Sequence, residues 1–564
     1  MIRYKAEDFD INRLGSFYST EKTIFRVFSP YYKDLSIVIK GHSYPMHKKG
    51  LCFEIGLSSD LEGARYHFET SEGVSFSDPF AYAGKKGESI VMDPSKFIKE
   101  KIVPEKCETP IIYECSVRDF SSDDSYTGRY RKKFLSFTES GLLTKKGNPL
   151  GVDHLKQLGI THLQLLPVFE FDNDKSDYNW GYNPLAYNYV ENVYLENEED
   201  PYAYVREFRE TVNALHKCGI RVVTDVVFNH VYNYAKNELG KMLKRKCFRY
   251  KPDGKIAQGT FCGNEVKSED PFVRAYIVKM VERYLELFDI DGIRMDLMGI
   301  SDIDTVNLIY STLRKKKEDF MVYGEGWNMG DVLPEEDRAA IPNAKKMPGI
   351  AMFNDYFRDT LIHYVSGNDS IDEDVEKILM ADGSYLDASQ SINYSECHDD
   401  YTFFDRMMIY KNEDRKSVNE ARARLSMAMV MVAKGIPFIH AGQEFLRTKN
   451  GIRNSYNSPD EINKIDWDRR DRYADSCDFL KDLISIRKKH PSLYDPDTPC
   501  EFERYEGCII YKVDDLLILI NPTGTDQIYN DGERHEMIFD RKGGCNCAGT
   551  CIPVSAYSLV ICQY

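Results

Sequence analysis

The chain has 564 residues, which is too long for one hydrophobic core and predicts roughly two to four domains. Its 90 acidic and 74 basic side chains give a formal net charge of −16, and such a surface repels phosphate backbones, so we do not expect nucleic acid as a partner. The sequence contains neither a run of about 18 apolar residues nor an apolar signal-peptide core at its N-terminus. We therefore expect no membrane span and no secretion.

Short strands are predicted for about the first hundred residues. Residues 22–40 alternate or run apolar with β-branched side chains and are interrupted by a turn at Ser29-Pro30. Residues 51–57 and 64–70 continue in the same style, and a turn-rich stretch at 103–110 follows. This pattern predicts a small N-terminal β domain.

Eight short apolar runs recur between residues 111 and 442, and helix-like segments separate them. Residues 271–290, for example, place Phe272, Tyr276, Met280 and Tyr284 on one helical stripe. Eight strands that alternate with helices predict a closed parallel (β/α)8 barrel, a TIM barrel. A doubly wound open sheet is the alternative, but no G-x-G-x-x-G fingerprint follows an early strand. The runs are "IIYECSV", "THLQLLPV", "RVVTDVVF", "DGIRMDL", "FMVYGEG", "GIAMF", "SINYSE" and "IPFIHAG".

After about residue 492, short strands return in "CIIYKV", "LLILI" and "SLVICQ". They predict a C-terminal antiparallel β domain.

Polar side chains close four of the eight apolar runs. In a parallel barrel, the carboxyl ends of the strands meet at one mouth, where active-site groups project. A cap or ion pair explains any single buried carboxylate, but four strands ending in this way predict a functional site. The third strand ends with Asp225, Asn229 and His230, the fourth with Arg294 and Asp296, the fifth with Glu325, and the seventh with His398, Asp399 and Asp400.

These residue types fit glycoside hydrolysis with retention, which uses one carboxylate as nucleophile and one carboxylic acid as proton donor. Arg294 lies two residues before Asp296, so strand alternation puts both side chains on the same face. Because an adjacent guanidinium favours an ionised carboxylate, we predict Asp296 as nucleophile and Glu325 as acid/base. A metal site is the alternative, but an arginine inside the cluster disfavours a cation, so we expect no metal. Its ligands would be Asp225, His230, Asp296 and His398.

Four ordered segments of the chain resemble the four sequence regions of the α-amylase superfamily of glycosidases. They are "DVVFNH", "GIRMDLMG", "YGEGW" and "YSECHDD", and the likeness extends to "YECSVRDFS", "LLPVFEF", "AGQEFLRTK" and "NSYNSPDEINKIDW". The first hundred residues or so are similar to the β-sandwich carbohydrate-binding module that precedes debranching enzymes. The resemblance thus implies a β-sandwich module over 1–105, a catalytic barrel over 106–491 and a C-terminal β domain over 492–564.

Residues 178–184, "YNWGYNP", form a loop after the second strand and therefore lie at the same mouth. They resemble the "YNWGYDP" hallmark of type I pullulanases, which cut α-1,6 branch links. A glucose ring presents apolar C–H faces that aromatic rings can bury. By this resemblance Tyr182 stacks on the sugar at the cleavage site, and we expect one of the three rings to pack against the barrel instead.

The resemblance implies Asp296 as nucleophile, Glu325 as acid/base and Asp399 as a third carboxylate that grips sugar hydroxyls. The substrate-binding residues it implies are Tyr182, Trp180, Asp225, Asn229, His230, Arg294, Trp327 and His398.

The implied function is retaining hydrolysis of α-1,6 links in pullulan or in limit dextrins derived from glycogen or starch. We expect no cofactor, and a monomer whose partner is the α-glucan. Isoamylase-like cleavage, α-1,4 cleavage and transglycosylation are the alternatives within the enzyme class. A non-catalytic glucan-binding scaffold is the alternative outside it, and the presence of all three carboxylates disfavours it.

Four positions depart from the family pattern. Asn183 stands where aspartate is usual, which removes one negative charge near the mouth. Met295 replaces an aromatic residue, and Cys397 and Asp400 replace serine and asparagine. No catalytic group is lost, so we expect changes in fine specificity and pH optimum rather than in activity.

The 14 cysteines are spread along the chain, which favours reduced thiols in a cytoplasmic protein. Cys545, Cys547 and Cys551 cluster in "GGCNCAGTC". Zinc sites generally use four ligands with wider paired spacings, and no histidine lies nearby, so we expect thiols on a turn and no zinc.

Overall fold

The structure is a computed structural model, and it describes residues 3–85, 87–98, 101–173, 178–367, 372–382 and 384–564. Across these ranges, no helix has both the length and the apolar character needed to cross a bilayer.

Eight parallel strands form a closed barrel at the centre of the chain. The first strand pairs with the second and also with the eighth, which closes the ring. This closure confirms the predicted (β/α)8 barrel and excludes the open sheet, in which the two edge strands stay apart. The strands are β1 (Ile112–Cys115), β2 (His162–Leu165), β3 (Arg221–Val226), β4 (Gly292–Met295), β5 (Met321–Gly324), β6 (Ala351–Phe353), β7 (Ser391–Asn393) and β8 (Ile436–His440).

The longest barrel helix illustrates how a helix of the outer layer begins, ends and packs on the barrel. It spans Pro271–Phe288 and begins where Asp270 accepts a hydrogen bond from the backbone N–H of Phe272 at 3.0 Å. It ends at Asp289, whose φ of +59° breaks the helical conformation. The predicted apolar stripe is confirmed, because Phe272, Tyr276, Met280 and Tyr284 are all buried.

The other α-helices in the described ranges are Val117–Ser122, Val152–Leu158, Ala203–Lys217, Glu238–Met242, Ile303–Lys316, Asp355–Val365, Asp372–Leu379, Phe403–Tyr410, Lys416–Val432, Asp460–Asn463, Trp467–Arg472 and Ala474–Lys489.

Two antiparallel sheets form a sandwich before the barrel. Phe25 of the first sheet contacts Tyr66 of the second, with ring centroids 4.9 Å apart. Among the aromatic residues of the sandwich, Tyr32 and Phe53 are buried and Tyr31 is half-buried. The first sheet contains Gly15–Tyr18, Thr23–Phe28, Cys52–Leu57 and His47–Lys49; the second contains His42–Pro45, Ser36–Ile39, Arg65–Glu69, Glu88–Ile90, Ala83–Lys85 and Ser75–Phe76.

The sandwich packs directly on the barrel through aromatic rings. Phe28 stacks on Phe272 with centroids 4.1 Å apart and ring planes 8° apart. Phe80 meets Tyr276 edge to face at 5.3 Å. The N-terminal half of the long helix therefore joins the two regions.

The C-terminal region is the predicted antiparallel β structure. Phe539 of its sheet packs against Phe479 of the last barrel helix at 4.9 Å. Its six-stranded sheet contains Cys500–Tyr505, Cys508–Val513, Leu516–Asn521, Ser558–Gln563, His535–Asp540 and Gly543–Gly549, and a smaller sheet pairs Gln527–Tyr529 with Ile552–Val554.

Candidate active site

Arg294 lies at the centre of the barrel mouth and is 1% exposed. The register of β3 and β4 sets it opposite Asp225, and its Nη1 donates to the two carboxylate oxygens at 3.0 and 2.9 Å. The same nitrogen donates to Oδ1 of Asp296 at 3.1 Å, while Nη2 donates to Glu325. One guanidinium thus holds carboxylates from three neighbouring strand ends together, as the strand-end pattern predicted.

The carboxylates in this cluster have different proton affinities. Burial raises the pKa of Glu325 to about 8 against the attraction of Arg294, and the charges of Asp296 and Asp399 add to the rise. Burial also raises the pKa of Asp225 to about 6. The backbone N–H of Leu297 donates to Oε2 of Glu325 at 2.9 Å and fixes its orientation. The raised pKa favours the protonated form of Glu325, which can donate a proton.

His398 is held by a carboxylate that the sequence analysis missed. Glu114, on β1, accepts from the backbone N–H of His398 at 2.7 Å and lies 2.8 Å from its Nδ1. Gln164 on β2 donates to the same carboxylate at 3.0 Å. Burial alone would lower the pKa of His398, but Glu114 and Asp399 raise it to about 9. A charged imidazolium therefore stands beside Asp399, with Nε2 3.9 Å from Oδ2.

The aromatic loop buries two of its three rings, whereas we expected one. Tyr178 is 2% and Trp180 is 4% exposed. Tyr178 donates to Asp119 at 2.6 Å, and Trp180 meets the edge of His398 at 5.0 Å. Trp180 was predicted to bind substrate, but its burial leaves little surface for a ligand and gives it a packing contact with His398.

Tyr182 is the half-buried ring of this loop. It stacks on His398 with centroids 5.1 Å and planes 13° apart, and its hydroxyl donates to Asp225 at 2.7 Å. The preceding Gly181 has a φ of +100°, and a Cβ there would lie 2.9 Å from the Pro167 side chain. Only glycine therefore lets the loop pass close enough to the barrel to place Tyr182 at the mouth.

The remaining predicted residues lie around the same centre. The side-chain amide of Asn229 is 2.8 Å from Nδ1 of His230, and that nitrogen is 3.8 Å from Oδ2 of Asp296. Nε2 of His230 lies 3.1 Å from the carbonyl oxygen of Tyr182. Trp327 is half-buried and lines the cavity that also contains Asp399.

The departures from the family pattern have local partners. Asn183 donates to the backbone carbonyl of Asp172 at 2.6 Å, a bond that a carboxylate could not donate. Asp400 has a φ of +65° and pairs with Arg406 and Arg453 at 3.0 Å each, which compensates its charge.

Metal binding was not expected at the mouth or at the cysteine cluster. Within the described ranges, no group of three or more His, Cys, Asp or Glu side chains is arranged to hold a metal ion. The side chain of Cys547 lies outside the described residues, Cys551 is exposed, and Cys545 contacts the carbonyl oxygen of Met537 at 3.6 Å. The absence of zinc stays a prediction.

Known proteins are similar to this chain in both sequence and fold. Residues 132–251 match the family of α-amylase catalytic domains. The pullulanase of Bacillus subtilis (strain 168) is 35% identical over 534 residues, which cover 88% of this chain and 74% of that protein. The chain belongs to the pullulanase family.

Other members of the family differ in length. Pullulanase A of Streptococcus pneumoniae serotype 4 is 27% identical over 486 residues, which cover 72% of this chain but 37% of that longer protein. The crystal structure of the pullulanase of Anoxybacillus sp. LM18-11 with maltotetraose has a TM-score of 0.94 at 31% identity, covering 100% of this chain and 89% of that one. The likeness extends over the sandwich, the barrel and the C-terminal sheet.

Proposed function

We propose that this chain is a retaining glycoside hydrolase that cleaves α-1,6-glucosidic links in pullulan and in limit dextrins derived from glycogen or starch. The observation that carries the chemistry is the pairing of Asp296 and Glu325 on one buried guanidinium, at a place where burial raises the pKa of Glu325. Two carboxyl groups on the same guanidinium lie close together, as retention requires.

In the first step, Asp296 attacks the anomeric carbon, and Glu325 donates its proton to the departing glycosidic oxygen. The bond from the anomeric carbon to that oxygen breaks, and a covalent glycosyl–Asp296 ester forms. In the second step, Glu325 takes a proton from water, which attacks the same carbon and releases the ester. Two inversions leave the product in the α configuration.

Groups around the pair stabilise the charges that develop. Arg294 donates to Asp296 at 3.1 Å and stabilises its negative charge before attack. The His398 imidazolium and the Asp399 carboxylate, 3.9 Å apart, provide a donor and an acceptor for sugar hydroxyls. We assign them to binding the sugar that undergoes attack.

The proposed linkage rests on the family and on the aromatic loop. An α-1,6 link contains one more rotatable bond than an α-1,4 link, so the leaving chain enters at a different angle. Tyr182 is fixed by its stack on His398 and its bond to Asp225, and a fixed ring can select one angle of entry.

The linkage test is digestion of pullulan and amylose. We expect maltotriose from pullulan, released first as the α-anomer, and hydrolysis of amylose slower by about a hundredfold or more. Chromatography identifies the products, and proton NMR of early samples identifies the anomer. Panose or isopanose from pullulan, or faster attack on amylose, would show α-1,4 cleavage, and an initial β-anomer would contradict the two-step mechanism.

The pH dependence follows from Glu325. Because the acid must carry its proton, kcat/KM on pullulan is expected to fall as pH rises through about 8, its pKa in the folded protein. Initial rates between pH 6 and 10 at constant ionic strength measure this limb. Activity that stays level to about pH 10 would remove Glu325 from the role of acid.

The proposed setting is a cytoplasmic monomer with domains at 1–105, 106–491 and 492–564. The thirteen cysteines that the structure describes in full are all free thiols, which supports a reducing compartment.

A further inference from the structure

One aromatic side chain near the mouth is exposed on a strained backbone. Phe261 is 91% exposed, and its φ is +60°. This left-handed region is unfavourable for any residue with a bulky side chain, and an apolar ring in water gains nothing from folding. Such strain persists only where the surrounding structure enforces it, and it recurs at ligand-binding sites. An exposed ring on a strained backbone points to a side chain that packs against the bound substrate.

The loop that carries Phe261 lies directly beside the reaction centre. The next residue, Cys262, places its Sγ 3.4 Å from Nε2 of His230, whose other nitrogen is 3.8 Å from Asp296. Gly263 is packed so tightly on this histidine that a Cβ would lie 2.8 Å from its ring. Adjacent Cα atoms are about 3.8 Å apart. The Cα of Phe261 is therefore one residue away from Cys262, whose side chain contacts His230 beside Asp296.

A buried carboxylate fixes the loop to the next one along the mouth. Oε1 of Glu265 accepts the backbone N–H groups of Gly259 and Asp331, both at 2.9 Å. Asp331 belongs to the segment that follows β5, the strand that leads to Glu325 and Trp327. The phenylalanine is therefore presented from a rigid support rather than from a free loop.

We propose that Phe261 is a stacking platform for a glucosyl unit next to the one held at Asp296, and so determines which glucan chains bind well. The inference rests on the proposed function. Phenylalanine has no polar group, so it would recognise the apolar C–H face of a sugar and not its hydroxyls. One ring face of this kind contributes about tenfold in affinity, equivalent to about 1.4 kcal/mol.

The test is Phe261→Gly, because glycine removes the ring and also suits the left-handed backbone. We expect the KM for pullulan and the Kd for maltohexaose, measured by calorimetry, to rise about tenfold, with kcat within about threefold of wild type. The melting temperature should stay unchanged or rise, so that the loss cannot come from misfolding. Phe261→Trp keeps an aromatic face and should keep both constants within about threefold of wild type.

Lys40→Gly is the matched control, since Lys40 is exposed with a φ of +50° in the N-terminal sandwich. It should leave KM and Kd unchanged. If the KM and Kd of Phe261→Gly stay within about twofold of wild type, Phe261 is not a stacking platform, and the proposed debranching function is unaffected. If the wild-type protein binds maltohexaose but leaves pullulan intact, the proposed function is wrong. The Kd of Phe261→Gly for maltohexaose, measured by calorimetry, would still test the role of Phe261. A protein that binds neither glucan would defeat both.

Discussion

Asp296→Asn is expected to lower kcat/KM on pullulan by about 10⁴-fold or more while the protein folds normally. The substitution keeps the shape of the side chain but removes the charge that lies 3.1 Å from Nη1 of Arg294. An amide cannot form the glycosyl ester, so the two-step route is lost and no alternative nucleophile replaces it. Arg294 retains Asp225 and Glu325 as partners, which preserves the fold. Steady-state kinetics and the melting temperature measure the two effects.

Asp400→Asn is the matched control for this variant. It makes the same chemical change at the same mouth, but Asp400 pairs with Arg406 and Arg453 rather than with the central guanidinium. Asparagine also tolerates the φ of +65° at this position. We expect a loss of about tenfold or less. Should Asp296→Asn also stay within about tenfold of wild type, the nucleophile must be another residue.

The barrel and the convergence of its strand-end carboxylates could be predicted because their signals are local in the sequence. Each of β3, β4 and β5 is an apolar run, and Asp225, Asp296 and Glu325 stand at or just beyond its carboxyl end. Parallel pairing then brings these ends to one mouth whatever the details of packing. The two-residue spacing of Arg294 and Asp296 likewise follows from strand geometry alone.

Glu114 was missed because its partner is distant in the sequence. It sits inside an apolar run, between Tyr113 and Cys115, and a buried charge there was a signal that a partner must exist. Nothing local identifies that partner as His398, 284 residues further along the chain. The contact arises only when the barrel closes and the segment after β7 crosses the end of β1.

The loop conformations could not be predicted from the sequence either. Trp180 is buried because Gly181 lets the chain approach Pro167, a tertiary contact that the loop's own residues do not specify. The left-handed backbone of Phe261 was not predicted either. Hydrogen bonds between Thr260 and Gly263, the tight packing of Gly263 and the contact of Gly259 with Glu265 together fix this turn.

Glu325→Gln is expected to lower kcat/KM on pullulan by about 10³-fold, and to respond to the leaving group in a way that Asp296→Asn does not. Fluoride departs without a proton, so α-maltotriosyl fluoride should still glycosylate Asp296 in this variant. The covalent intermediate should then accumulate, because glutamine cannot activate water. Added azide needs no general base and should restore turnover, giving α-maltotriosyl azide, which proton NMR identifies.

The direction of this rescue separates the two carboxylates. Azide that replaces water in Glu325→Gln attacks the ester from the face opposite Asp296, and so keeps the α configuration. If the roles were exchanged, Asp296→Asn would give the retained α-azide, and Glu325→Gln would give the inverted β-azide by direct displacement of fluoride. Loss of the falling limb near pH 8 in Glu325→Gln is the second readout, because burial and the charges of Asp296 and Asp399 raise the pKa of Glu325. A limb that persists at the same pH in the variant would belong to another group, and the acid would have to be sought elsewhere at the mouth.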